Sequence, residues 1–207
     1  VAAMPLRHHV YFLLYPTPAA AGCAAALWNR TRLRLATQKS VPMPPERLHT
    51  TLMPLGCFED RVPDTVLNLA LATGGAVDDE PFELVFNVIR SRGGGPLGTV
   101  ELAGHGPALR RLRCLQRDLR EQLIRVGFPA GRLRGSFTPH MTLDYRHPIV
   151  VPRSLETPIA WPVTELCLVD SLHGQGRHEV LCRWPLRQRQ QVFSGWEPDV
   201  PTNPRGN

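Results

Sequence analysis

Apolar residues alternate with polar residues in several short stretches of the chain, and this period of two is typical of β-strands with one buried face. Strands of this kind are predicted at residues 9–15, 82–90, 97–103, 163–172 and 179–186. Residues 91–96 contain three consecutive glycines and are predicted to form a turn, and Gly-Gln-Gly at residues 174–176 joins the last two strands. Short turns between successive strands indicate antiparallel hairpins.

A period of three to four residues replaces this alternation in longer segments and predicts α-helices at residues 19–36, 63–76 and 107–127. The third helix is the most strongly amphipathic, because leucines recur on one face and arginines occupy the other. Its leucines are Leu109, Leu112, Leu115, Leu119 and Leu123. Pro18 precedes the first helix, and glycines follow the second and third, as expected for helix starts and stops.

Two other apolar runs contain the same short motif, His-x-Thr-Leu. The first copy includes His49 and Thr51, and the second includes His140 and Thr142. Because alternate residues of a strand share a face, each histidine should project on the same side as its threonine, while the residues between them are buried. We therefore expect two half-buried strands, each with a polar pair on its open face.

The first motif lies in a run, residues 48–52, whose boundaries the sequence indicates. Residues 38–47 contain three prolines and are predicted to form a loop that leads into this run. Pro54 and Gly56 are predicted to close the strand, because proline removes a backbone donor and glycine weakens a strand interior.

Paired histidines and threonines suit the cleavage of a phosphodiester without a metal ion. An imidazole has an ordinary pKa of about 6.5, so near neutral pH one ring can act as the acid while the other acts as the base. Each threonine hydroxyl can donate a hydrogen bond to a non-bridging phosphate oxygen, where charge builds in the transition state. The residues thus favour a metal-free acid–base site that contains His49, Thr51, His140 and Thr142.

Composition fits a globular protein with an anionic partner. The chain has 207 residues, of which 43% are hydrophobic and 20% charged, and it shows no apolar run long enough to cross a bilayer and no signal-peptide pattern. The net charge of +6 and pI near 9.5 fit RNA as a partner, although an arginine-rich composition alone gives the same charge. Five scattered cysteines indicate neither a disulfide framework nor a zinc site, which favours a reducing cytoplasm.

The elements follow the order strand, helix, His strand, helix, hairpin, helix, His strand, hairpin. Each His strand follows a helix and an arginine-bearing loop, which indicates a duplicated lobe with the two His strands facing each other across a cleft. We predict an α+β fold with two antiparallel sheets and flanking helices. Residues 1–187 should form a single bilobal domain, and the polar, proline-rich residues 188–207 should form a loosely held tail.

The chain resembles the two-histidine (2H) phosphoesterases, and among them the bacterial 2′-5′ RNA ligases and RNA 2′,3′-cyclic phosphodiesterases. The resemblance is carried by residues 46–52 with 55–56, by residues 137–143, by residues 168–172 with 174, by His178, and by Arg-Trp-Pro-Leu at residues 183–186. It covers about nine-tenths of the chain and is specific at family level. It implies a bilobal fold with a pseudo-two-fold axis and a basic cleft.

By this resemblance, His49 donates a proton to the departing ribose oxygen, His140 activates water, and Thr51 and Thr142 hold the phosphate. The implied reaction opens a terminal 2′,3′-cyclic phosphate of RNA to a 2′-phosphomonoester. In the reverse direction an RNA 5′-hydroxyl replaces water and a 2′-5′ link forms. The family needs no cofactor, metal or ATP. The implied partners are RNA ends or small 2′,3′-cyclic or 2′-5′-linked nucleotides, with no membrane or protein partner indicated.

The second motif departs from relatives that continue as Leu-Ala-Arg, because Leu-Asp-Tyr-Arg places the arginine one position later here. On a continued strand, Asp144 and Arg146 would point to the His140 face and Tyr145 away from it. A carboxylate at that place would repel phosphate but could raise an imidazole pKa. Position alone therefore does not assign Arg146 the substrate contact that this arginine makes in relatives.

Substrate contacts are expected from a further set of residues around the motifs. The candidates for phosphate binding are Arg47, Arg132, Arg134 and Arg146. Tyr11 or Phe12 on the first strand could stack a base, with core packing as the alternative. His178 stands where relatives often carry an aromatic residue, which indicates a place at the edge of the site.

Two other functions remain open on the sequence. One is a 2H enzyme that acts on 2′-5′ oligoadenylate or on another cyclic nucleotide. The other is a catalytically idle RNA-binding module that retains the fold, and the two intact His-x-Thr motifs argue against it. Motifs of other chemistries are missing from the sequence, including the lipase-type Gly-x-Ser-x-Gly, the Walker loop and His-Glu-x-x-His.

Overall fold

A computed structural model describes residues 6–34, 40–93, 97–104, 106–133 and 135–187. These residues form β1 (Arg7–Leu14), α1 (Pro18–Arg34), β2 (Val41–Pro42), β3 (Thr50–Glu59), α2 (Asp64–Gly75), β4 (Phe82–Arg92), β5 (Leu97–Ala103), α3 (Pro107–Arg125), β6 (Met141–Pro148), β7 (Arg153–Val163), β8 (Glu165–His173) and β9 (Arg177–Pro185). Short 3₁₀ turns lie at Pro45–Arg47 and Ala130–Arg132. The predicted tail, residues 188–207, lies outside the described residues.

The strands form two antiparallel sheets, which confirms the predicted α+β class. The first sheet has the strand order β3-β1-β8-β9, and the second sheet has the order β2-β6-β5-β4-β7. The strand after the first motif, β3, pairs with β1, and the strand after the second motif, β6, pairs with β5. Because β3 and β6 also contact each other, the two sheets meet near the two motifs.

The helices pack on the sheets and enclose the main hydrophobic core. α1 contacts β6 and β7, α2 contacts β8 and β9, and α3 contacts β3 and β4. The five leucines predicted to line α3 are all buried. A second, smaller cluster lies on the opposite face of β1 and β8 and comprises Leu13, Cys167, Val169, Tyr11 and Tyr15. Among the described helices, none is long and apolar enough to cross a membrane.

Prolines explain two errors in the strand predictions. The prediction that Pro54 and Gly56 close the first His strand is wrong, because β3 continues through both residues to Glu59. The sequence pattern also does not predict β7, which contains Pro158 and Pro162. Both strands lie at the edge of their sheets, where the missing backbone donor of a proline need not interrupt a ladder.

Strand β4 extends further than its sequence pattern predicts, to Arg92. Arg92 pairs with Thr99 of β5, so the predicted turn at residues 91–96 begins only at Gly93. The φ angle of Gly93 is 138°, a backbone conformation that glycine adopts without a steric cost. The extension matters for function because it brings Arg92 into the candidate site.

Candidate active site

His49 and His140 occupy equivalent positions, each immediately before a strand. His49 precedes β3, and His140 precedes β6. Thr51 and Thr142 lie two residues further on and are partly exposed, whereas the residues on either side of each threonine are buried. Both motifs therefore have the predicted open polar face and buried apolar face.

The same main-chain contact orients the two imidazoles. Nδ1 of His49 lies 2.7 Å from the carbonyl oxygen of Arg47, and Nδ1 of His140 lies 2.8 Å from that of Thr138. A carbonyl oxygen only accepts, so Nδ1–H is the donor in each bond, and this assigns the tautomer. In the neutral rings the free lone pair is therefore on Nε2, which is the atom available for proton transfer.

His49 is enclosed by aromatic rings. The Tyr11 ring lies nearly parallel to it, at 10° and with 5.9 Å between centroids, and the His178 ring meets it edge-on at 5.1 Å. Burial lowers the pKa of His49, the carbonyl of Arg47 opposes this shift, and the charges of Arg47 and His140 lower the pKa further. The charge of His140 is the smallest of these contributions, and the strands that carry the two motifs, β3 and β6, contact each other.

His178 belongs to the same aromatic group and is held by Tyr15. Nδ1 of His178 lies 2.9 Å from the Tyr15 hydroxyl. Burial, followed by the charges of His49 and Arg47, lowers the pKa of His178 to about 4, so this ring is neutral near pH 7. Burial raises the pKa of Tyr15 to about 12, so the phenol keeps its proton and can donate it to Nδ1. The structure thus brings two of the predicted substrate-binding residues, Tyr11 and His178, against His49.

Arg47, a third predicted binding residue, lines a cavity of about 630 Å³ next to His178. Its Nε atom is buried without a hydrogen-bond partner. Two other arginines in the wall form ion pairs with glutamates: Arg177 with Glu179 of the same strand, β9, and Arg183 with Glu165 of the neighbouring strand β8. Among the described residues, Arg47 makes no ion pair, which leaves its charge available in this wall.

His140 lies in a charged network instead of an aromatic one. Nη2 of Arg92 lies 3.0 Å from Nε2 of His140. Nε of Arg92 lies 3.3 Å from Oε2 of Glu101, and Arg90 donates to Oε1 of Glu101 over 3.0 Å from Nε and 2.9 Å from Nη2. Glu101 has no exposed surface, and its Oε2 lies 4.0 Å from Nε2 of His140.

Sequence reasoning does not identify Arg90, Arg92 or Glu101 as site residues. Their sequence pattern does not distinguish a site from a surface, because charged residues at alternate positions of a strand usually indicate a solvated face. The register reveals the link: Arg90 lies opposite Glu101, and Glu101 lies opposite Thr142. Arg90, Glu101 and Thr142 therefore lie side by side across the second sheet.

A bulge in β6 changes the orientation of the residues after the second motif. Thr142 and Asp144 pair with two adjacent residues of β5, Glu101 and Val100. Leu143 is therefore an extra residue in β6, and an extra residue shifts the side chains that follow it to the other face. A second irregularity follows between Asp144 and His147.

The expected orientations of Asp144 and Tyr145 are wrong for this reason. Asp144 is buried, and its Oδ2 accepts a hydrogen bond from Nε1 of Trp28 over 2.9 Å. Tyr145 is exposed instead of packing in the core with Met141 and Leu143. Arg146 adopts a positive φ of 59° and makes no hydrogen bond or ion pair within the described part of the chain.

The other predicted binding residues lie elsewhere. Arg132 is exposed in the second 3₁₀ turn, and Arg134 lies outside the described residues. Phe12 is buried against Trp184, so of the two alternatives for this residue the structure shows core packing. The described residues contain no group of three or more His, Cys, Asp or Glu side chains that could hold a metal ion.

Solved structures with the same fold have low sequence identity to the chain. Escherichia coli LigT complexed with 3′-AMP is 23% identical, with a TM-score of 0.68 over 88% of this chain and 99% of LigT. The protein TT0787 of Thermus thermophilus is 25% identical, with a TM-score of 0.69 over 87% of this chain and 99% of that protein. A third, described only as a phosphoesterase, is 22% identical with a TM-score of 0.67, over 87% of this chain and 99% of that one. No curated protein matches the chain in sequence.

A family profile gives the sequence-level match. The profile of the 2′-5′ RNA ligase superfamily matches residues 18–175, a segment that includes both His-x-Thr motifs and more than half of the chain. The fold of the solved structures agrees with this match, and the superfamily supports an enzyme of the phosphodiesterase or ligase type. The chain therefore belongs to the 2′-5′ RNA ligase superfamily of 2H phosphoesterases.

Proposed function

We propose that the protein is a metal-independent RNA 2′,3′-cyclic phosphodiesterase that opens a terminal cyclic phosphate to a 2′-phosphomonoester. We infer that the same site catalyses the reverse 2′-5′ ligation without ATP. The observation that carries the proposal is the matched orientation of His49 and His140, each with Nε2 available and with a threonine two residues further on. Displacement at phosphorus needs an acid on one side and a base on the other, and this pair can supply both.

His140 is suited to act as the base in hydrolysis. A guanidinium group can only donate hydrogen bonds, so the bond from Arg92 to Nε2 requires an unprotonated ring. A water molecule that takes the place of this donor at Nε2 can lose its proton to His140 as it attacks phosphorus.

His49 is suited to act as the acid. Its lowered pKa makes the imidazolium a stronger proton donor, and the negative charge of a bound phosphate favours the protonated ring despite its burial. The proton passes to the ribose oxygen that leaves as the cyclic ester opens. In ligation the two histidines exchange roles, as microscopic reversibility requires.

The surroundings support a nucleotide-like substrate. The hydroxyls of Thr51 and Thr142 can donate to non-bridging oxygens, where charge develops. Tyr11 and His178 form an aromatic wall against which a ribose and base can pack, and Arg47 adds positive charge. E. coli LigT has been crystallised with 3′-AMP and with ATP, which supports small nucleotides or RNA ends as ligands here.

We also infer that residues 1–187 act as one bilobal domain and that the protein works in a reducing compartment such as the cytoplasm. The second inference is supported by five free cysteines that form no disulfide in the fold.

Turnover of a defined substrate panel tests the proposal. The panel contains an RNA with a terminal 2′,3′-cyclic phosphate, cyclic mononucleotides and 2′-5′ dinucleotides, each with and without EDTA. We expect the RNA end to be opened to a 2′-phosphate at the same rate in EDTA and without ATP. Loss of activity on chelation, restored by a divalent ion, refutes the mechanism. A strong preference for 2′-5′ oligoadenylate or a cyclic mononucleotide assigns the alternative substrate, and RNA binding without any turnover assigns a binding module.

A further inference from the structure

We propose that Arg92 binds the non-bridging oxygens of the substrate phosphate from the His140 side of the site, and that the buried Glu101 positions it. This inference rests on the proposed phosphodiesterase function and adds to it a substrate-contacting cation outside the two motifs. It also assigns to Arg92 the phosphate contact that the sequence suggested for Arg146.

Distance supports a contact with phosphate. Nη2 of Arg92 lies 3.0 Å from Nε2 of His140, the atom that must hold the attacking water. A water molecule in position to attack lies about 3–3.5 Å from phosphorus. A guanidinium that reaches the base therefore needs only a side-chain rotation to reach the phosphoryl oxygens, and its side chain is 53% exposed, which leaves room for that rotation.

The ion pairs show why Arg92, and not Arg90, is free to move. Arg90 makes two hydrogen bonds to Oε1 of Glu101, at 2.9 and 3.0 Å, so its charge is compensated. Arg92 holds the same carboxylate only through Nε at 3.3 Å. Two arginines and one buried carboxylate leave a net positive charge in the network, and this charge is aimed at the position of the phosphate.

The buried carboxylate of Glu101 holds two arginines on the His140 side of the second sheet. A buried carboxylate is costly unless it is paired with cations, and the register of β4 and β5 supplies both arginines from the neighbouring strand. The ion pair between Nε of Arg92 and Oε2 of Glu101 keeps the guanidinium beside His140. From there its planar fork can bind an oxyanion after a side-chain rotation.

Arg146 does not fill this role in the structure. The bulge at Leu143 and the positive φ of Arg146 take its backbone out of the regular strand. It makes no hydrogen bond or ion pair with a described residue, whereas Arg92 contacts the catalytic ring itself. The site therefore keeps an arginine near its second histidine, but β4 supplies it.

The test compares Arg92→Met and Arg92→Lys with the matched control Arg117→Met, which removes an exposed arginine from α3. We expect Arg92→Met to lower kcat/KM for cyclic-phosphate opening on the order of 10²–10³-fold. Arg92→Lys should recover part of this loss, and Arg117→Met should leave the rate unchanged. Wild-type activity in Arg92→Met, with both histidine variants inactive, overturns this inference but leaves the proposed function intact.

Phosphorothioate substrates separate a phosphate contact from a structural role. The wild-type enzyme should distinguish the Rp and Sp isomers of a nucleoside 2′,3′-cyclic phosphorothioate, and Arg92→Met should lose most of that discrimination. Glu101→Gln should show a smaller loss of the same kind, which Glu101→Asp partly restores. Unchanged discrimination in Arg92→Met contradicts the proposal, even when the rate falls.

Binding of inorganic phosphate tests Arg92 without any turnover. If the wild-type protein opens none of the cyclic phosphates, the proposed function fails, and calorimetric titration with phosphate then decides this inference. We expect Arg92→Met to bind phosphate on the order of 10-fold more weakly than wild type or Arg117→Met, for the loss of a charge-assisted contact. Equal binding by all three proteins overturns it.

Discussion

The two halves of the site begin with the same motif and the same main-chain contact, yet their surroundings differ. His49 lies among the rings of Tyr11 and His178 and is only partly exposed. His140 lies beside a buried carboxylate and an exposed arginine. A main-chain carbonyl oxygen thus orients each imidazole, whereas side chains of the neighbouring strands determine its electrostatic environment.

In the proposed reaction, this difference separates the role of the acid from that of the base. An aromatic enclosure disfavours the charged form of His49, so its imidazolium gives up a proton readily. An arginine donor at Nε2 of His140 keeps a lone pair on that ring. Two chemically identical side chains can therefore act as acid and base because burial dominates in one half and ion pairing in the other.

Replacement of either histidine should have the largest effect on the rate, because it removes one of the two groups compared. His49→Ala and His140→Ala should each lower kcat/KM for hydrolysis on the order of 10²–10⁴-fold. The double variant should be little worse than either single variant, because groups that act as a unit are not additive. Rates of cyclic-phosphate opening measured at saturating and limiting substrate check this, and additive losses would contradict a shared reaction step.

A substrate with an acidic leaving group sharpens the assignment of the two roles. A p-nitrophenyl phosphodiester needs no proton on its departing oxygen, so it should partly rescue His49→Ala and not His140→Ala. Rescue of His140→Ala instead exchanges the acid and the base. Rescue of neither variant means that the histidines bind phosphate without transferring protons.

The threonines should make a smaller contribution, similar in both halves. Thr51→Ala and Thr142→Ala should each lower kcat/KM on the order of 10–10³-fold, because each removes one donor to the developing charge. Thr50→Ala is a poor control because Thr50 is buried, so Thr157→Ala on the exposed part of β7 serves instead. A threonine variant with wild-type kcat/KM would show that its half of the site does not hold the phosphate.

The pH dependence of kcat/KM reports the electrostatic difference directly. The kcat/KM profile reports the pKa values of the essential acid and base of the free enzyme. The limb set by His49 should lie below 6.5, because burial chiefly, and the charges of Arg47 and His140 to a lesser extent, lower its pKa. Arg47→Met removes a nearby positive charge and should move this limb upward by less than about one unit. A profile with neither limb below the ordinary imidazole pKa would argue against an enclosed His49.

The smallest expected effect is on stability in mild acid. The folded-state pKa of His178 is lowered to about 4, first by burial, so the unfolded chain binds its proton at a higher pH than the folded chain does. The stability that the neutral ring contributes is present above about pH 6.5 and is lost as the pH falls toward 4. His178→Phe should therefore reduce the loss of stability between pH 7 and pH 5 by roughly 1 kcal/mol, allowing for partial exposure. Chemical denaturation at both pH values measures it, and an unchanged slope would contradict it.

Much of the fold could be predicted because it follows local patterns. The alternation in β1 and β4, the leucine stripe of α3 and the repeated His-x-Thr motif are each visible within a few residues. The equivalent positions of the two histidines, each before a paired strand, follow from the repetition of the motif, because similar local sequences favour similar local structure.

The remaining features depend on contacts between distant parts of the chain. Pro54 does not end β3, because β3 lies at an edge, and edge position is a property of the whole sheet. The bulge at Leu143 is set by pairing with β5, so counting positions from His140 gives the wrong face for Tyr145. Arg92 and Glu101 approach His140 only through the register of the second sheet, which has no local signature in the sequence.

The contacts from Nδ1 of His49 and His140 to a carbonyl oxygen two residues earlier also affect how this site can change by mutation. The atoms that aim the two rings belong to the peptide backbone at Arg47 and Thr138, and no change of side chain at those positions removes them. The histidines therefore do not depend on a partner residue that must be inherited with them. A single substitution near one ring can therefore change its surroundings, and with them the substrate preference, without disturbing the orientation of either imidazole.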